Sequence, residues 1–341
     1  MQFQALATRS IAGETLTIEE CREVLRCPDE RVLELLDAAY RVRRTFCGNR
    51  VHLHMLMNAK SGLCPEDCHY CSQSRVSTAD IERYRMVSQE RLLEGARKAK
   101  EARSRRYCIV ISTRGATDRE VDYLAEAVRK IKEEVDIGIC VSLGLLTREK
   151  AKRLHDAGVE QLNHNLNTSE RYYPQICTTH TYQDRVNTLQ AAREAGLKLC
   201  SGVIVGQGER ESDIIDVSLA LRELQPQSIP VNFLLAIKGT PFQDMDYLTP
   251  RDCLRILCLM RFLNPRQEIR VSAGREVHLR SLQPLALYPA NSVFVSGYLT
   301  EPGQSYQDTW KMIEDLGFEV EEHREGAPPN APCEPASASA G

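Results

Sequence analysis

At 341 residues the chain is long enough for one large domain or two ordinary ones, and for a sizeable core without disulfides. Its 44 Lys and Arg stand against 47 Asp and Glu, a formal net charge of -3. The charges are scattered rather than blocked, which excludes the basic field that nucleic acid or an anionic membrane requires. Met1 to Thr15 has no basic segment leading into an apolar one, so no signal peptide is expected. No apolar run approaches the roughly 18 residues of a membrane span. The expectation is a soluble, cytoplasmic protein with neither nucleic acid nor membrane as partner. Thirteen Cys, odd in number and irregularly spaced, then argue for metal or catalytic work rather than a disulfide framework.

The first fifty residues read as a helical cap, 1–50. Thr17 with Glu20 makes a capping box that opens a helix to about Arg26. A second helix, about Asp29 to Thr45, carries Val32, Leu35, Leu36, Ala39 and Val42 on one stripe. From Val51 onward short apolar runs alternate with amphipathic stretches. Strands are expected at His52–Met57, Tyr107–Ser112, Gly138–Leu143, Gln161–Leu166, Leu197–Val203, Ser228–Leu234, Glu268–Ser272 and Ser292–Ser296. Helices are expected to start near Ser88, Thr117, Thr147, Thr181, Glu211, Thr249, Glu276 and Ser305. This alternation predicts an α/β fold of parallel units, a (β/α)8 TIM-type barrel over 51–320. A doubly wound open sheet is the alternative. Residues 326–341, rich in Pro, Ala and Ser and without periodicity, read as a disordered tail that holds Cys333.

The densest chemistry is Cys64-Pro-Glu-Asp-Cys68-His-Tyr-Cys71, three thiols spaced C-x3-C-x2-C. A loop this short makes its sulfurs converge on one object. Structural zinc normally takes four protein ligands, so the zinc alternative needs His69 or a distant His as well. A cubane cluster held by three thiolates keeps one iron without a protein ligand, open to a substrate. Farther on, Cys108, Cys140 and Cys200 fall on the second, third and fifth strands. Alternate residues of a barrel strand enter the lumen, so all three can face inward, either as ligands or as small core hydrophobes. Arg270 lies between Ile269 and Val271, which face the other way. A buried, unpaired guanidinium costs several kcal/mol, so Arg270 requires a negative partner: a thiolate-held cluster, or Glu268.

Together these stretches resemble the biotin synthase family of radical S-adenosylmethionine (AdoMet) enzymes, from about residue 45 to 320. The matching runs are Cys64-Pro-Glu-Asp-Cys-His-Tyr-Cys-Ser-Gln-Ser74, Asn163-His-Asn-Leu-Asn-Thr-Ser169, Thr178-Thr-His-Thr-Tyr182, Cys200-Ser-Gly202 and Ser272-Ala-Gly-Arg275. The resemblance implies a barrel with two iron–sulfur clusters that inserts sulfur into dethiobiotin to form biotin. Cys64, Cys68 and Cys71 would hold the 4Fe–4S cluster that binds AdoMet, with Tyr70 the aromatic residue before the last Cys. Cys108, Cys140, Cys200 and Arg270 match the ligands of an auxiliary cluster, 2Fe–2S or larger, taken as the sulfur source. Asn163, Asn165 and Asn232 match residues that contact dethiobiotin and, in part, AdoMet; an amide suits a ureido N–H and C=O. Without the resemblance they would read as polar caps of strand ends.

Arg185 matches a contact to the AdoMet carboxylate, and Asn167 a contact to the ribose where the familiar branch has Asp. Gly202-Val-Ile-Val-Gly206-Gln-Gly-Glu209 resembles the adenine-binding motif, with Ile204 against the ring and Glu209 closing the run. The run Ile-Val-Ile-Ser-Thr-Arg-Gly115 after Cys108 departs from the family's Met-Gly-Ala-Ala-Trp, which leaves the auxiliary cluster's nuclearity open. An electron donor such as flavodoxin or ferredoxin and a homodimer are further implications. Two alternatives stand beside this one. A tyrosine-cleaving or hydrogenase-maturation radical AdoMet barrel would keep the first three Cys but need not carry Cys108, Cys140, Cys200 and Arg270 together. A zinc-dependent binding protein would need neither cluster. No role is expected for Cys177, nor for Cys21, Cys27, Cys47, Cys253 and Cys258.

Overall fold

The computed structural model describes residues 2–62 and 64–323. The expected tail, 326–341, and Cys333 lie outside them. Three helices open the chain: α1 (Phe3–Ile11), α2 (Ile18–Leu25) and α3 (Val32–Cys47). The capping box of α2 is formed, Thr17 accepting from the Glu20 N–H while the Glu20 side chain accepts from Thr17 N–H. The stripe of α3 is buried as its spacing predicts, against α1 and the later helix of residues 250–263. α1 is an addition to the elements placed from the sequence.

The strands are β1 (Arg50–Lys60), β2 (Arg106–Ile111), β3 (Gly138–Ser142), β4 (Gln161–Asn163), β5 (Lys198–Cys200), β6 (Val203–Val205), β7 (Ser228–Phe233), β8 (Glu268–Val271), β9 (Ser292–Phe294) and β10 (Glu319–Val320). All pair in parallel, and β9 returns to β1 through His52 opposite Ser292, so the sheet closes. Closure overturns the open-sheet alternative. β5 and β6 are halves of one stave, the first pairing at Cys200 and Ser228 and the second along β7 from Val203 and Val231. Eight staves result, with β10 added outside the ring on Arg50 and Val51.

Helices α4 (Gln89–Glu101), α5 (Asp118–Glu134), α6 (Arg148–Asp156), α7 (Tyr173–Ile176), α8 (Tyr182–Glu194), α9 (Glu211–Leu224), α10 (Pro250–Leu263), α11 (Arg275–Leu279) and α12 (Tyr306–Asp315) complete the connections. Most start where the sequence places a cap: Ser88, Thr117, Thr147, Thr181, Thr249 and Ser305 each accept from a backbone N–H three residues on. Among the described residues, no helix is long and apolar enough to cross a membrane.

Alternation along the staves sorts the side chains. Leu53, Ile109, Ile139, Leu162, Val231, Ile269 and Val293 have no exposed surface and pack under the helices. Their neighbours in sequence point inward, and these are mostly His, Arg, Cys, Gln, Asn, Ser and Glu, with Val110, Pro230 and Phe294 as apolar exceptions. An ordinary barrel of this kind fills its lumen with Val, Ile and Leu. Here the apolar core lies between sheet and helices, and the lumen is a polar shaft. The break between β5 and β6 depends on Gly202, where a Cβ would lie 1.9 Å from the Pro230 carbonyl oxygen. Backbone cannot yield there as a side-chain tip would. Gly202→Ala is therefore expected to lose at least about 1–3 kcal/mol of stability, read by urea unfolding of the metal-free chain. A shift below about 0.5 kcal/mol would show that the two staves are not held this closely.

Candidate active site

The loop after β1 crosses the C-terminal mouth of the barrel. There Cys64, Cys68 and Cys71 line one cavity of about 350 Å³, shared with Tyr70, Asn167 and Arg185. The loop is fixed from beneath by two acidic side chains. Asp67 accepts from Thr178 N–H at 2.9 Å and Thr179 N–H at 3.2 Å. Glu66 accepts from Thr179 Oγ1 at 2.5 Å and from Arg114 at 3.0 Å. Burial pushes the Asp67 carboxyl up, but the hydrogen bonds from Thr178, Cys177 and Thr179 outweigh it and hold it below its ordinary range. Burial pushes the Cys71 thiol up to about 11, and Cys68 is raised by its contact with Cys177 and by burial. Such thiols become thiolates when a bound cation compensates them, so the donor set fits a metal cofactor. His69, one of the two ways a zinc knuckle could be completed, packs its ring edge-on to Phe242, 5.4 Å between centroids.

The other expected AdoMet residues sit round the same cavity, with one exception. Arg185 donates to the Asn165 carbonyl oxygen at 2.9 Å, and its Nε donates to Tyr173. Asn167 has φ +71°, a left-handed conformation that Asn tolerates, and donates through Nδ2 to Tyr70 at 2.7 Å. Ile204 lines the cavity. Glu209 is the exception. Its carboxylate folds back to accept from Gly206 N–H at 2.7 Å and Gln207 N–H at 2.6 Å, so it shapes the glycine turn and is not among the cavity residues.

Asn163, Asn165 and Asn232 also line the cavity. The Asn165 amide oxygen accepts from Gly202 N–H at 3.1 Å. Asn232 donates to the Val203 carbonyl at 2.9 Å and accepts from Ala273 N–H at 3.2 Å. Each amide thus ties neighbouring staves together and keeps further hydrogen-bonding capacity for a ligand.

Deeper in the shaft, Cys108 and Cys140 are direct partners across β2 and β3. Cys200 accepts from Asn163 Nδ2 at 3.1 Å and lies 3.7 Å from Arg270 Nη1. All three Cys and Arg270 are buried. Arg270 and Arg106 both reach Glu268, so two guanidinium groups share one carboxylate. A pocket of three thiols with surplus positive charge suits a thiolate-bound cluster.

Comparison with known proteins agrees. A profile of the Radical SAM superfamily matches residues 60–220, and one of the Biotin and Thiamin Synthesis associated domain matches 230–319. The biotin synthase of Bacillus subtilis (strain 168) is 55% identical over 320 residues, 94% of this chain and 96% of that protein. The chain belongs to the biotin synthase family. The biotin synthase of Geobacillus kaustophilus is 53% identical over 93% of this chain and 95% of its own. Among solved structures, methylornithine synthase superposes with a TM-score of 0.81 at 22% identity, covering 93% of this chain and 97% of that one. The FeFe-hydrogenase maturase HydG of Carboxydothermus hydrogenoformans gives 0.80 at 20%, covering 95% and 80%. At those identities the likeness is one of fold.

Two features of this biotin synthase family member escaped the sequence reading. One is Cys177 with His180, set against Cys68 beneath the mouth loop. The other is the extent of the polar floor of the shaft, of which only the Arg270–Glu268 pair was among the expectations. Glu268 lies 2.8 Å from His52 Nδ1 and 3.0 Å from His54 Nε2, and accepts from Ser228 at 2.9 Å. Arg270 donates to Ser228 at 2.7 Å and to Ser292 at 3.1 Å. Burial and then Arg270 lower His54 to about 3, so its imidazole is neutral. The signal was present as His-x-His on β1 and Glu-x-Arg on β8, polar residues at strand period. Breaking one side of a buried pair typically costs about 3–5 kcal/mol. Glu268→Gln is expected to destabilise the metal-free chain by about that amount in urea unfolding, with a loss below about 1 kcal/mol contradicting the pairing.

Proposed function

We propose that the chain catalyses radical AdoMet-dependent insertion of sulfur into dethiobiotin to form biotin. The observation that carries this reading is the stacking of two thiol sets along one shaft. Cys64, Cys68 and Cys71 lie at the mouth, Cys108, Cys140 and Cys200 lie beneath, and an asparagine-lined cavity lies in the same shaft. When bound, the mouth 4Fe–4S cluster would supply the electron that cleaves AdoMet reductively, and the auxiliary cluster would supply the sulfur.

The chain's own residues would position and shield. Arg185, buried and charged, offers a partner to the AdoMet carboxylate, and Ile204 a flat apolar face to its adenine. The residual hydrogen-bonding capacity of Asn163, Asn165 and Asn232 suits the ureido group of dethiobiotin. Leu56, Val110, Pro230 and Phe294 give the cavity apolar walls that exclude water. Arg270, held by Glu268, Ser228 and Ser292, places one guanidinium edge against Cys200. On the family resemblance we also place the enzyme in the cytoplasm as a homodimer, reduced by a flavodoxin- or ferredoxin-type donor.

The two thiol sets separate experimentally. Cys68→Ala should abolish reductive cleavage of AdoMet while iron and sulfide bound at the lower set survive. Cys140→Ala should lose that lower iron and sulfide and stop biotin formation, yet still cleave AdoMet. Full AdoMet cleavage by Cys68→Ala, or biotin formation by reconstituted protein holding one cluster per chain, would sink the assignment.

Substrate reading is tested at Asn232. Losing one partner of a buried hydrogen bond costs about 1–3 kcal/mol, roughly ten- to a hundredfold in affinity. Asn232→Ala should weaken dethiobiotin binding by about that factor in calorimetry, and AdoMet binding less. Unchanged dethiobiotin affinity would remove the residue from the substrate site.

A further inference from the structure

Cys177 has no part in that chemistry, yet it occupies a built position. It follows α7, is 2% exposed, and turns under the mouth loop. Its Sγ lies 3.8 Å from Cys68 Sγ, 3.2 Å from His180 Nδ1 and 3.2 Å from Asp67 Oδ1. The ligand atoms of Cys68, Cys177 and His180 all fall within 4.8 Å of one another.

These separations are those of a coordination polyhedron. With Zn–S bonds of ~2.3 Å, a tetrahedron sets two sulfurs ~3.8 Å apart, and a sulfur and a nitrogen ~3.5 Å apart. The imidazole is also oriented for ligation. Nε2 lies 2.8 Å from the Tyr173 hydroxyl oxygen, the kind of outer partner that fixes a ligating ring, and Nδ1 faces the Glu66 carboxylate with the Cys177 sulfur 3.2 Å away. The groups that converge on Nδ1 are acceptors, the Cys177 sulfur and the Glu66 carboxylate, with Asp67 beside them.

We propose that Cys68, Cys177 and His180 form a three-ligand site for one soft divalent cation, zinc foremost, in the cluster-free chain, with a water oxygen in the fourth position. Soft thiolates with an imidazole favour zinc over magnesium or calcium. Binding releases the thiol protons, and the ion takes two sulfurs, one nitrogen and one oxygen. Because Cys68 belongs to both sets, this ion and the mouth cluster exclude each other. That exclusion rests on the assignment of Cys68 to the 4Fe–4S cluster; the single-ion site does not. Zinc would then pin the mouth loop before the cluster arrives and would slow cluster insertion.

The test uses the full chain, freed of metal by a chelator under anaerobic conditions and titrated with Co(II) as the probe, then with Zn(II). Wild type should bind one Co(II) with tetrahedral d–d bands and charge-transfer intensity for two thiolates, and zinc should displace it. Cys177→Ala should weaken the binding by more than about a hundredfold, beyond what an outer partner is worth. Cys64→Ala and Cys71→Ala should bind as wild type does. Intensity for three thiolates, or binding lost in Cys64→Ala but kept in Cys177→Ala, would put the ion on the C-x3-C-x2-C triad and overturn the proposal. Absence of tight binding by wild type would do the same. The thiolate count needs no variant, so the proposal stays open to refutation even where Cys177→Ala folds poorly. Reconstitution with iron and sulfide alone, without zinc, tests the cluster assignment separately. If that assignment holds, zinc preloading should slow 4Fe–4S formation in wild type and leave Cys177→Ala little affected.

Discussion

Period-two alternation in a closed, parallel sheet is the constraint on which the rest depends. Shifting one stave by a single residue would turn its apolar row into the lumen and its inward polar and Cys side chains into the helices. Closure removes the free edges along which such a slip would start. The register that sets Cys108 against Cys140 therefore also sets Ile109 against Val141 on the buried outer side. Core and site are two faces of the same pairing. A polar shaft is tolerated because the apolar core lies outside the strands, between sheet and helices.

The floor of the shaft shows how such polarity is kept from unfolding the barrel. Arg270 is fully enclosed, and it meets Glu268, Ser228, His54 and Ser292 before any cofactor is considered. The guanidinium is therefore satisfied in the chain itself, and its remaining edge is aimed at Cys200. Buried ion pairs contribute little net stability against a well-packed apolar alternative. What this one supplies is a fixed direction for Nη1 in a place where a free Arg side chain would carry large rotamer entropy.

Much of this was legible beforehand. All eight staves fall where the apolar runs placed them, because their outward faces are nearly uninterrupted Val, Ile and Leu. The helix starts fall on Ser and Thr because a capping oxygen is a local device, readable three residues at a time. The division of the fifth stave was not legible, since it follows from a close approach of Gly202 to Pro230, distant in sequence. Glu209 was assigned to the nucleotide from its motif, but its carboxylate folds onto the N–H groups two and three residues before it. A short acidic side chain after a glycine turn has that local option, and spacing alone cannot tell it from a ligand contact. Cys177 is not legible as part of a site because Asp67 and Cys68 lie more than a hundred residues away, and a Cys-x2-His spacing alone is a weak signal.

The mouth and the floor solve opposite electrostatic problems. At the floor, guanidinium groups exceed carboxylates around Glu268, so bound thiolates complete the charge balance. At the mouth, Glu66 and Asp67 are already held by the Thr178–His180 segment and Arg114, and they fix the loop backbone without help from a cofactor. Burial raises the Cys64 thiol and the Glu66 charge adds to it, so a bound cation favours the thiolate there. Burial also raises the Cys200 thiol, and contact with Cys108 and burial raise Cys140, with Arg270 offsetting this only in part, so both levels favour thiolates once a cation binds.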